Sequence, residues 1–317
     1  MKNTFDPKRD RHIVVMYHYV FDEQPDRRGM HPRQLVDFER ELDFLKEHYE
    51  IVSVPEVLAI ARRNGPPVCA LTFDDATRDQ YENAAPRLEA RGLRGTFFTI
   101  TEVFAGRLPF THQLHVLFSL LDSQTLVGRY HCFLQTNYPE RELELKIPLT
   151  THLNSFRQHD DIYTANFKER FLAAPPIICQ QFLEQIFNEL KLDAKKLAGE
   201  LFMQLPEIKT LRRRGHIIGV HGCTHRPFDT LTLDEIKTEL QQSISTLTES
   251  LAAPPAILSY PYGRLPIDLK SAWKLAQKLG LTHAVAMEYR SVDHRDDPFL
   301  IPRFNSNHIR EFLLARH

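Results

Sequence analysis

The stretch VCALTFDD, residues 68–75, decides the fold class, because an uncharged, mostly apolar run leads directly into two aspartates. A continuous run of this kind is typical of a strand buried on both faces of a parallel sheet. Similar short runs recur along the chain, at 12–17, 50–54, 94–100, 216–220, 256–260 and 282–287. Helical patterns separate them. This alternation predicts an α/β protein, a distorted (β/α) barrel with about seven parallel strands.

The helical patterns have recognisable starts and one long interruption. Residues 53–56 and 232–235 resemble capping boxes, in which a hydroxyl residue and a glutamate three positions later satisfy the first free N–H groups of a helix. Between the fourth and fifth predicted strands the rhythm stops, and the chain is mostly helical in pattern. We therefore predict a first barrel part at 1–100, a helical insertion at 101–200 and the rest of the barrel at 201–317.

Composition excludes some classes of protein. Of 317 residues, 40 are Lys or Arg and 41 are Asp or Glu, so the net charge of -1 lacks the basic bias of nucleic-acid binders. No apolar stretch is long enough to span a bilayer, and none near the start is typical of a secretory signal. The four cysteines form no CxxC pair and are expected to be reduced thiols. We expect a cytoplasmic protein whose oligomeric state stays open.

Polar clusters follow three of the predicted strands, where the active-site groups of βα barrels gather. They lie at 72–75, 221–225 and 259–263. Adjacent aspartates on a strand point apart, so Asp74 and Asp75 can serve as a base and a metal ligand; either could instead cap the next helix. Two histidines four residues apart, with one carboxylate, suit a catalytic zinc site, although two solvated loop histidines would have the same spacing. Cys223 between them is expected to be a packed thiol rather than a ligand.

With these clusters the chain resembles the polysaccharide deacetylase family, also called the NodB-homology domain or carbohydrate esterase family four. The first three family motifs are matched at 72–75, 221–225 and 260–263, and the segments 16–20 and 302–303 resemble many bacterial members. The resemblance covers most of 12–100 and 205–305. It does not account for the insertion.

The resemblance implies a role for each matching position. Asp74 would be the general base, and Asp75, His221 and His225 would hold one divalent metal ion, usually zinc. Tyr262 would lie beside the pocket, with its N–H stabilising an oxyanion. The implied enzyme is a hydrolase of carbon–nitrogen bonds that deacetylates an N-acetylated amino sugar in a glycan or glycan precursor.

Some residues depart from the family pattern. Ala76 stands where members often have glycine, and Ser259 or Tyr260 stands where many have an arginine that steadies the base. Arg303 is our candidate for a replacement arginine; the alternative is a surface ion pair.

The general acid and the substrate contacts are less well marked. His283, in Leu281-Thr282-His283, matches the family's last motif by letter, yet it also begins a predicted strand. His18 is expected at the pocket rim, and Tyr260 and Pro261 are expected to contact substrate. His112 and His115 lack the intervening glutamate of helical zinc proteases, so no second metal site is expected there.

Two other functions stay open at this point. The same fold could hydrolyse a non-sugar amide, cyclic or linear. Alternatively, the protein could bind carbohydrate without catalysis, which the alanine at position 76 and the uncertain acid would allow; an intact Asp74 argues against it.

Overall fold

The computed structural model describes residues 5–153 and 160–315, and its strands form one parallel sheet. The strand order is β7-β6-β5-β4-β3-β1-β8, with β2 paired to β3 beside this path. The strands are β1 His12–Tyr17, β2 Glu50–Ile51, β3 Val68–Phe73, β4 Thr96–Thr99, β5 Ile217–Val220, β6 Ile257–Ser259, β7 His283–Val285 and β8 Phe304–Asn305. The predicted α/β class and parallel sheet are confirmed.

A short stretch near the end of the chain joins the two edges of the sheet. Ile301 forms a parallel bridge with Val285 of β7, and Phe304 of β8 pairs with Val15 of β1. The sheet therefore curls into a distorted barrel. We call residues 301–305 the closing stretch. The sequence predicts no strand there, because a strand of two residues is too short to show a periodic pattern of apolar residues.

Helices separate most of the strands along the chain. The two predicted capping boxes are present: the N–H groups of Ser53 and Thr232 each donate at 2.8 Å to the glutamate three residues on. A π-helical turn, Gln80–Ala84, precedes α3. The α-helices are α1 Leu35–His48, α2 Val54–Arg62, α3 Ala85–Ala90, α4 Phe110–Leu120, α5 Ser123–Asn137, α6 Glu142–Leu145, α7 Ile162–Ala173, α8 Pro176–Glu189, α9 Ala194–Leu201, α10 Leu205–Arg213, α11 Leu233–Leu251, α12 Leu269–Lys278 and α13 Ser306–Leu314.

Strand side chains alternate between two hydrophobic clusters, as the period of two requires. One cluster packs the outer face against the helices and includes Tyr17, Phe73 and Phe97. The other, which we call the inner cluster, includes Val14, Val68, Ala70, Phe98, Ile257, Val285 and Ile301. The barrel interior between its two ends is therefore a packed core.

The chain divides into two compact units. The barrel unit comprises 5–22, 32–105 and 199–315, and the helical unit comprises 23–31 and 106–198. Aromatic side chains form the core of the helical unit, where the Tyr130 and Phe167 rings lie 5.2 Å apart and Phe167 stacks on Phe171 at 5.3 Å. The predicted helical insertion between the fourth and fifth strands is confirmed, whereas the division at 100 and 200 stays a prediction. None of the helices in the described ranges has the length and apolar character that a membrane crossing requires.

Candidate metal centre and catalytic residues

Polar side chains at the carboxyl ends of the strands continue the inward-facing rows of the sheet. Val68 and Ala70 of β3 lie in the inner cluster, and two further steps of two lead to Asp74, which is 2% exposed. By the same alternation, three more buried polar side chains turn inward: His221 after β5, Ser259 at the end of β6 and Arg303 in the closing stretch. Strand geometry alone thus brings a carboxylate, an imidazole, a hydroxyl and a guanidinium to one place.

Asp75 reaches the same place through a turn in the backbone. Strict alternation would point it away from Asp74, but the chain adopts left-handed φ angles of 74° at Asp75 and 55° at Ala76. The Asp75 carboxylate then lies 3.4 Å from the Nε2 atom of His221. Ala76 therefore adopts the conformation that glycine would adopt more readily.

His225 completes the group from the loop after β5. It also has a left-handed φ, of 60°, and its Nε2 lies 3.3 Å from the Asp75 Oδ1 and 3.3 Å from the Nε2 of His221. The Nδ1 of His221 lies 2.8 Å from the Ser259 carbonyl, which can only accept a hydrogen bond. In the neutral imidazole, that bond leaves the lone pair on Nε2, facing the other two groups.

These three side chains have the chemistry of a divalent metal site. Their donor atoms lie within 4.8 Å of one another, and all three residues are buried. Zinc bonds of ~2.0–2.2 Å in tetrahedral geometry put neighbouring ligand atoms about 3.4 Å apart, close to the separations here. Two imidazole nitrogens facing one carboxylate oxygen are held together best by a cation. Among the described residues no other group of His, Cys, Asp or Glu meets the same distance criterion.

Asp74 is bound on its other side by Arg303. The guanidinium donates to both carboxylate oxygens, at 2.8 and 2.9 Å, and donates to the Ser259 hydroxyl at 2.9 Å. That hydroxyl in turn donates to Asp74 at 3.1 Å. Arg303 and Ser259 are both 0% exposed. The arginine predicted as a replacement for the family's arginine is thus brought to Asp74, while Ser259 leaves room for it.

The charges in this cluster determine the titration of its members. Burial alone would raise the pKa of Asp74, but the positive charges of Arg303 and His221 outweigh it and lower that pKa. Burial would likewise lower the pKa of His221, but Asp74 and Asp75 raise it. Asp74 is therefore held as a carboxylate, and the cluster around His221 has negative charge for a cation to neutralise.

Two buried polar residues that the sequence reasoning missed support the loops of this cluster. Glu239 of α11 accepts hydrogen bonds from the N–H groups of Cys223 and Thr224, at 2.7 and 2.9 Å. The side-chain amide of Gln80 donates to the carbonyls of Asp74 and His18, at 2.6 and 2.9 Å. A charge on the apolar face of α11 could have indicated Glu239. No sequence signal indicates Gln80, since its role depends on the π-helical turn.

His18 and Tyr262 both lie close to members of this cluster. His18 follows β1, the neighbour of β3, is exposed, and is near enough to Asp74 to contribute to the lowering of that residue's pKa. Tyr262 has a left-handed φ of 59°, and its ring lies 4.5 Å from that of His225. The structure thus places one candidate on either side of the strands that carry the candidate metal ligands.

The structure does not bring Tyr260 to the cluster. Alternation along β6 turns it away from the face of Ser259, its hydroxyl donates to the Phe299 carbonyl at 3.2 Å, and it is 2% exposed. Its aromatic ring belongs to the outer core, so the predicted substrate contact is not supported. Pro261 is also buried and packs beside Gly222, with its Cγ 3.6 Å from where a Cβ would be.

His283 is likewise not brought to Asp74. It is the first residue of β7 and pairs with Ile257, the first residue of β6, whereas Ser259 at the site pairs with Val285. Its ring bonds the hydroxyl of Thr282 at 2.8 Å, and burial with the charge of Arg62 lowers its pKa. His283, which matches the family motif only in its sequence, thus lies at the amino end of the barrel, opposite the other motifs.

The remaining sequence candidates are not part of the centre. Cys223 is buried and is not one of the grouped ligands, in line with a packed thiol. His112 and His115 lie in the helical unit with their rings 5.5 Å apart, edge to face. They are not among the groups close enough for a metal ion.

Comparison with known proteins agrees with this site. Residues 192–284 match the family model described as polysaccharide deacetylase. The match contains the loops of His221, His225 and Tyr262 and excludes Asp74 and Asp75. No curated protein sequence matches the chain.

Solved structures resemble the chain along nearly its whole length. The Streptococcus pyogenes deacetylase PplD, in complex with acetate, has a TM-score of 0.58 at 15% identity, with 96% of this chain and 97% of that chain covered. IcaB from Ammonifex degensii has a TM-score of 0.56 at 14% identity, with 97% and 98% covered. A de-N-acetylase from Aggregatibacter actinomycetemcomitans has a TM-score of 0.50 at 14% identity, with 93% and 94% covered. These likenesses establish the fold. With the family match they confirm the predicted family resemblance and the predicted class of enzyme, a hydrolase of amide bonds.

Proposed function

We propose that the protein removes the acetyl group from an N-acetylated amino sugar of a glycan or glycan precursor, with one divalent metal ion. Residues 192–284 match the family model described as polysaccharide deacetylase, which supports this choice. The observation that carries this proposal is the convergence of Asp75, His221 and His225 beside a separate carboxylate, Asp74. A carbohydrate-binding relative would have no need for a buried base beside a ligand set. The names of the similar structures, a deacetylase with acetate and a de-N-acetylase, support the choice of reaction.

Zinc is the ion that we propose. Two imidazoles and one carboxylate form a common ligand set of catalytic zinc, with a further position for water or substrate. A divalent ion bound there lowers the pKa of its water toward ~7 and polarises the amide carbonyl. The Ser259 carbonyl, 2.8 Å from Nδ1 of His221, holds that imidazole in the tautomer that binds metal.

Asp74 is the proposed general base. A base must be ionised and within reach of the water's proton, and Asp74 lies 3.9 Å from the Nε2 of His221 without being one of the grouped ligands. Arg303 and Ser259 fix both carboxylate oxygens in position. The N–H of Tyr262 is the proposed donor to the oxyanion of the tetrahedral intermediate.

His18 is the proposed donor of a proton to the leaving amine. It is exposed at the carboxyl end of β1, on the strand next to β3, whereas His283 lies at the opposite end of the barrel. We expect His18→Gln to lower kcat and His283→Gln to leave it near the parent's value. Equal losses in both variants would refute the assignment of His18.

Metal content and acetate release test the proposed function. The purified protein, after incubation with zinc, should hold about one ion per chain and release acetate from N-acetylglucosamine oligomers. His221→Ala should hold none and release none; His216→Ala, which removes a buried histidine at the other end of β5, should still bind the ion. Metal binding without acetate release from any acetylated sugar would favour a non-sugar amide as substrate. A parent that binds no ion would overturn the proposal.

The cytoplasmic location and the use of a glycan precursor as substrate are also proposals.

A further inference from the structure

One buried carboxylate outside the ligand set holds the backbone of the loop that presents His225. Glu239 of α11 is 7% exposed and accepts hydrogen bonds from the N–H groups of Cys223 and Thr224, at 2.7 and 2.9 Å, and from the Thr224 hydroxyl. A buried charge is costly unless it is compensated. Both of its partner residues belong to the three residues between the proposed metal ligands His221 and His225.

The loop needs such a partner because its backbone is in a conformation that most residues avoid. Gly222 and His225 have φ angles of 77° and 60°, and the left-handed region is unfavourable for a residue with a Cβ. Successive N–H groups of a chain in this conformation point to one side and form a concavity for an anion. Glu239 supplies that anion from a neighbouring helix.

The fit of Gly222 indicates how closely the loop is held. A Cβ at Gly222 would lie 3.2 Å from the Glu239 Oε2 and 3.6 Å from Pro261 Cγ. The loop is thus confined between α11 on one side and the turn after β6 on the other. Displacement of the Glu239 carboxylate would let the loop move, and His225 would move with it.

We propose that Glu239 is a positioning residue that sets the affinity and geometry of the metal site by holding the 222–225 loop. This inference rests on the proposed function, since it requires that His225 bind the ion. It predicts that Glu239 acts through His225 and not through substrate.

The test uses cobalt in place of zinc, because the visible absorption of Co²⁺ reports ligand number and geometry. The full-length parent, Glu239→Gln and Glu249→Gln are titrated with Co²⁺, and folding is followed by circular dichroism. Glu249 is the matched control, an exposed glutamate of the same helix that accepts a bond from Ser245 at 2.9 Å. We expect Glu239→Gln to bind Co²⁺ about tenfold more weakly or worse, with an altered spectrum, and Glu249→Gln to match the parent.

A second pair of variants guards against unfolding of Glu239→Gln. Thr224→Val removes one of the three bonds to Glu239, and Thr224→Ser retains the hydroxyl, so the serine variant should bind Co²⁺ more tightly than the valine variant. Parent affinity and spectrum in Glu239→Gln, or no difference between the two Thr224 variants, would overturn the role of Glu239 and leave the metal site intact. A parent that binds no Co²⁺ or Zn²⁺ would instead overturn the proposed function, and this inference with it.

Discussion

The barrel unit contains two buried pairs of arginine and carboxylate, and they titrate in opposite directions. Arg303 pairs with Asp74 at the carboxyl end of the strands, and Arg33 pairs with Glu41 of α1. All four residues are less than 9% exposed. Yet the pKa of Asp74 is lowered, whereas burial raises the pKa of Glu41 from 4.5 to about 7.

The number and geometry of the hydrogen bonds account for the difference. Arg303 donates to both oxygens of Asp74 at 2.8 and 2.9 Å, which is the strongest arrangement for such a pair. The nearest contact between Arg33 and Glu41 is 3.3 Å, and Arg33 also donates to Ser306 and Asn307. Burial of a carboxylate next to an arginine therefore does not fix its charge. Of the two pairs, only the one at the candidate metal centre keeps its carboxylate ionised, as the proposed general base requires.

Removal of the base should have the largest effect. We expect Asp74→Asn to keep its metal ion and to lower kcat about 10³-fold, because an amide cannot accept the proton of water and general bases contribute roughly 10²–10⁴-fold. Metal content and the initial rate of acetate release measure the two properties separately.

The neighbouring aspartate is the matched control for that experiment. Asp75→Asn should lose the metal ion as well as activity, since Asp75 is the carboxylate that lies beside both histidines. If Asp74→Asn lost the ion and Asp75→Asn retained it, the two roles would have to be exchanged.

Weakening of the Asp74 pair should have the next largest effect. Arg303→Lys keeps a positive charge but loses the two-pronged geometry, so we expect kcat to fall about 10-fold to 100-fold and the free energy of unfolding to fall by ~1–3 kcal/mol. Arg303→Met should be worse, because a partnerless buried carboxylate costs ~3–5 kcal/mol. Denaturant melts and kcat give the ranking, and activity in Arg303→Met equal to the parent's would refute the assigned role.

The Glu41 pair should affect stability and its dependence on pH, but not catalysis. Because the folded-state pKa, about 7, lies above the ordinary value of 4.5, protonated Glu41 stabilises the fold fully below pH ~4.5. That contribution is lost as the pH rises through 7. Glu41→Gln cannot ionise and escapes this loss. The free energy of unfolding of the variant, minus that of the parent, should therefore rise by on the order of 2 kcal/mol between pH 5 and pH 8.

Urea melts at several pH values measure this difference. Glu39→Gln is the control, because Glu39 is partly exposed and pairs with Arg87 at 2.7 Å. A difference between parent and Glu41→Gln that did not change with pH would show that Glu41 is ionised throughout, and the contrast with Asp74 would disappear.

The sequence predicts the parts of this molecule that depend on local pattern. The class of fold, the positions of seven strands along the chain and the candidate ligands Asp75, His221 and His225 follow from strand runs and from residues placed at strand ends. The closing stretch was missed because β8 has only two paired residues, Phe304–Asn305. The segment 23–31 was not assigned to the helical unit, because which distant segments pack together is not encoded in local periodicity.

Residues that act through tertiary contacts were harder to predict. Gln80 binds the carbonyls of Asp74 and His18, 6 and 62 residues away, and Glu239 binds Cys223 and Thr224, 16 and 15 residues away. His283 was suggested by letters alone, and the strand register places it at the wrong end. Arg303 was suggested as a replacement for the arginine that family members place beside the base, and it does contact Asp74. A resemblance that assigns a residue a contact was thus a better guide than a short letter match.

The smallest expected effect concerns the backbone next to the proposed ligand Asp75. Ala76 has a φ of 55° and is 2% exposed, and an alanine in this region is strained by ~1–2 kcal/mol. Glycine relieves the strain but loses more entropy on folding, so Ala76→Gly should raise the free energy of unfolding by less than ~1 kcal/mol. Ala252 is the control: it has a φ of 54° at the end of α11, far along the chain from the ligands. Ala252→Gly should give a similar gain in thermal melts with no change in Co²⁺ affinity. If Ala76→Gly also weakens Co²⁺ binding, the alanine stiffens the turn that presents Asp75; if it does not, the strain at Ala76 is independent of metal binding.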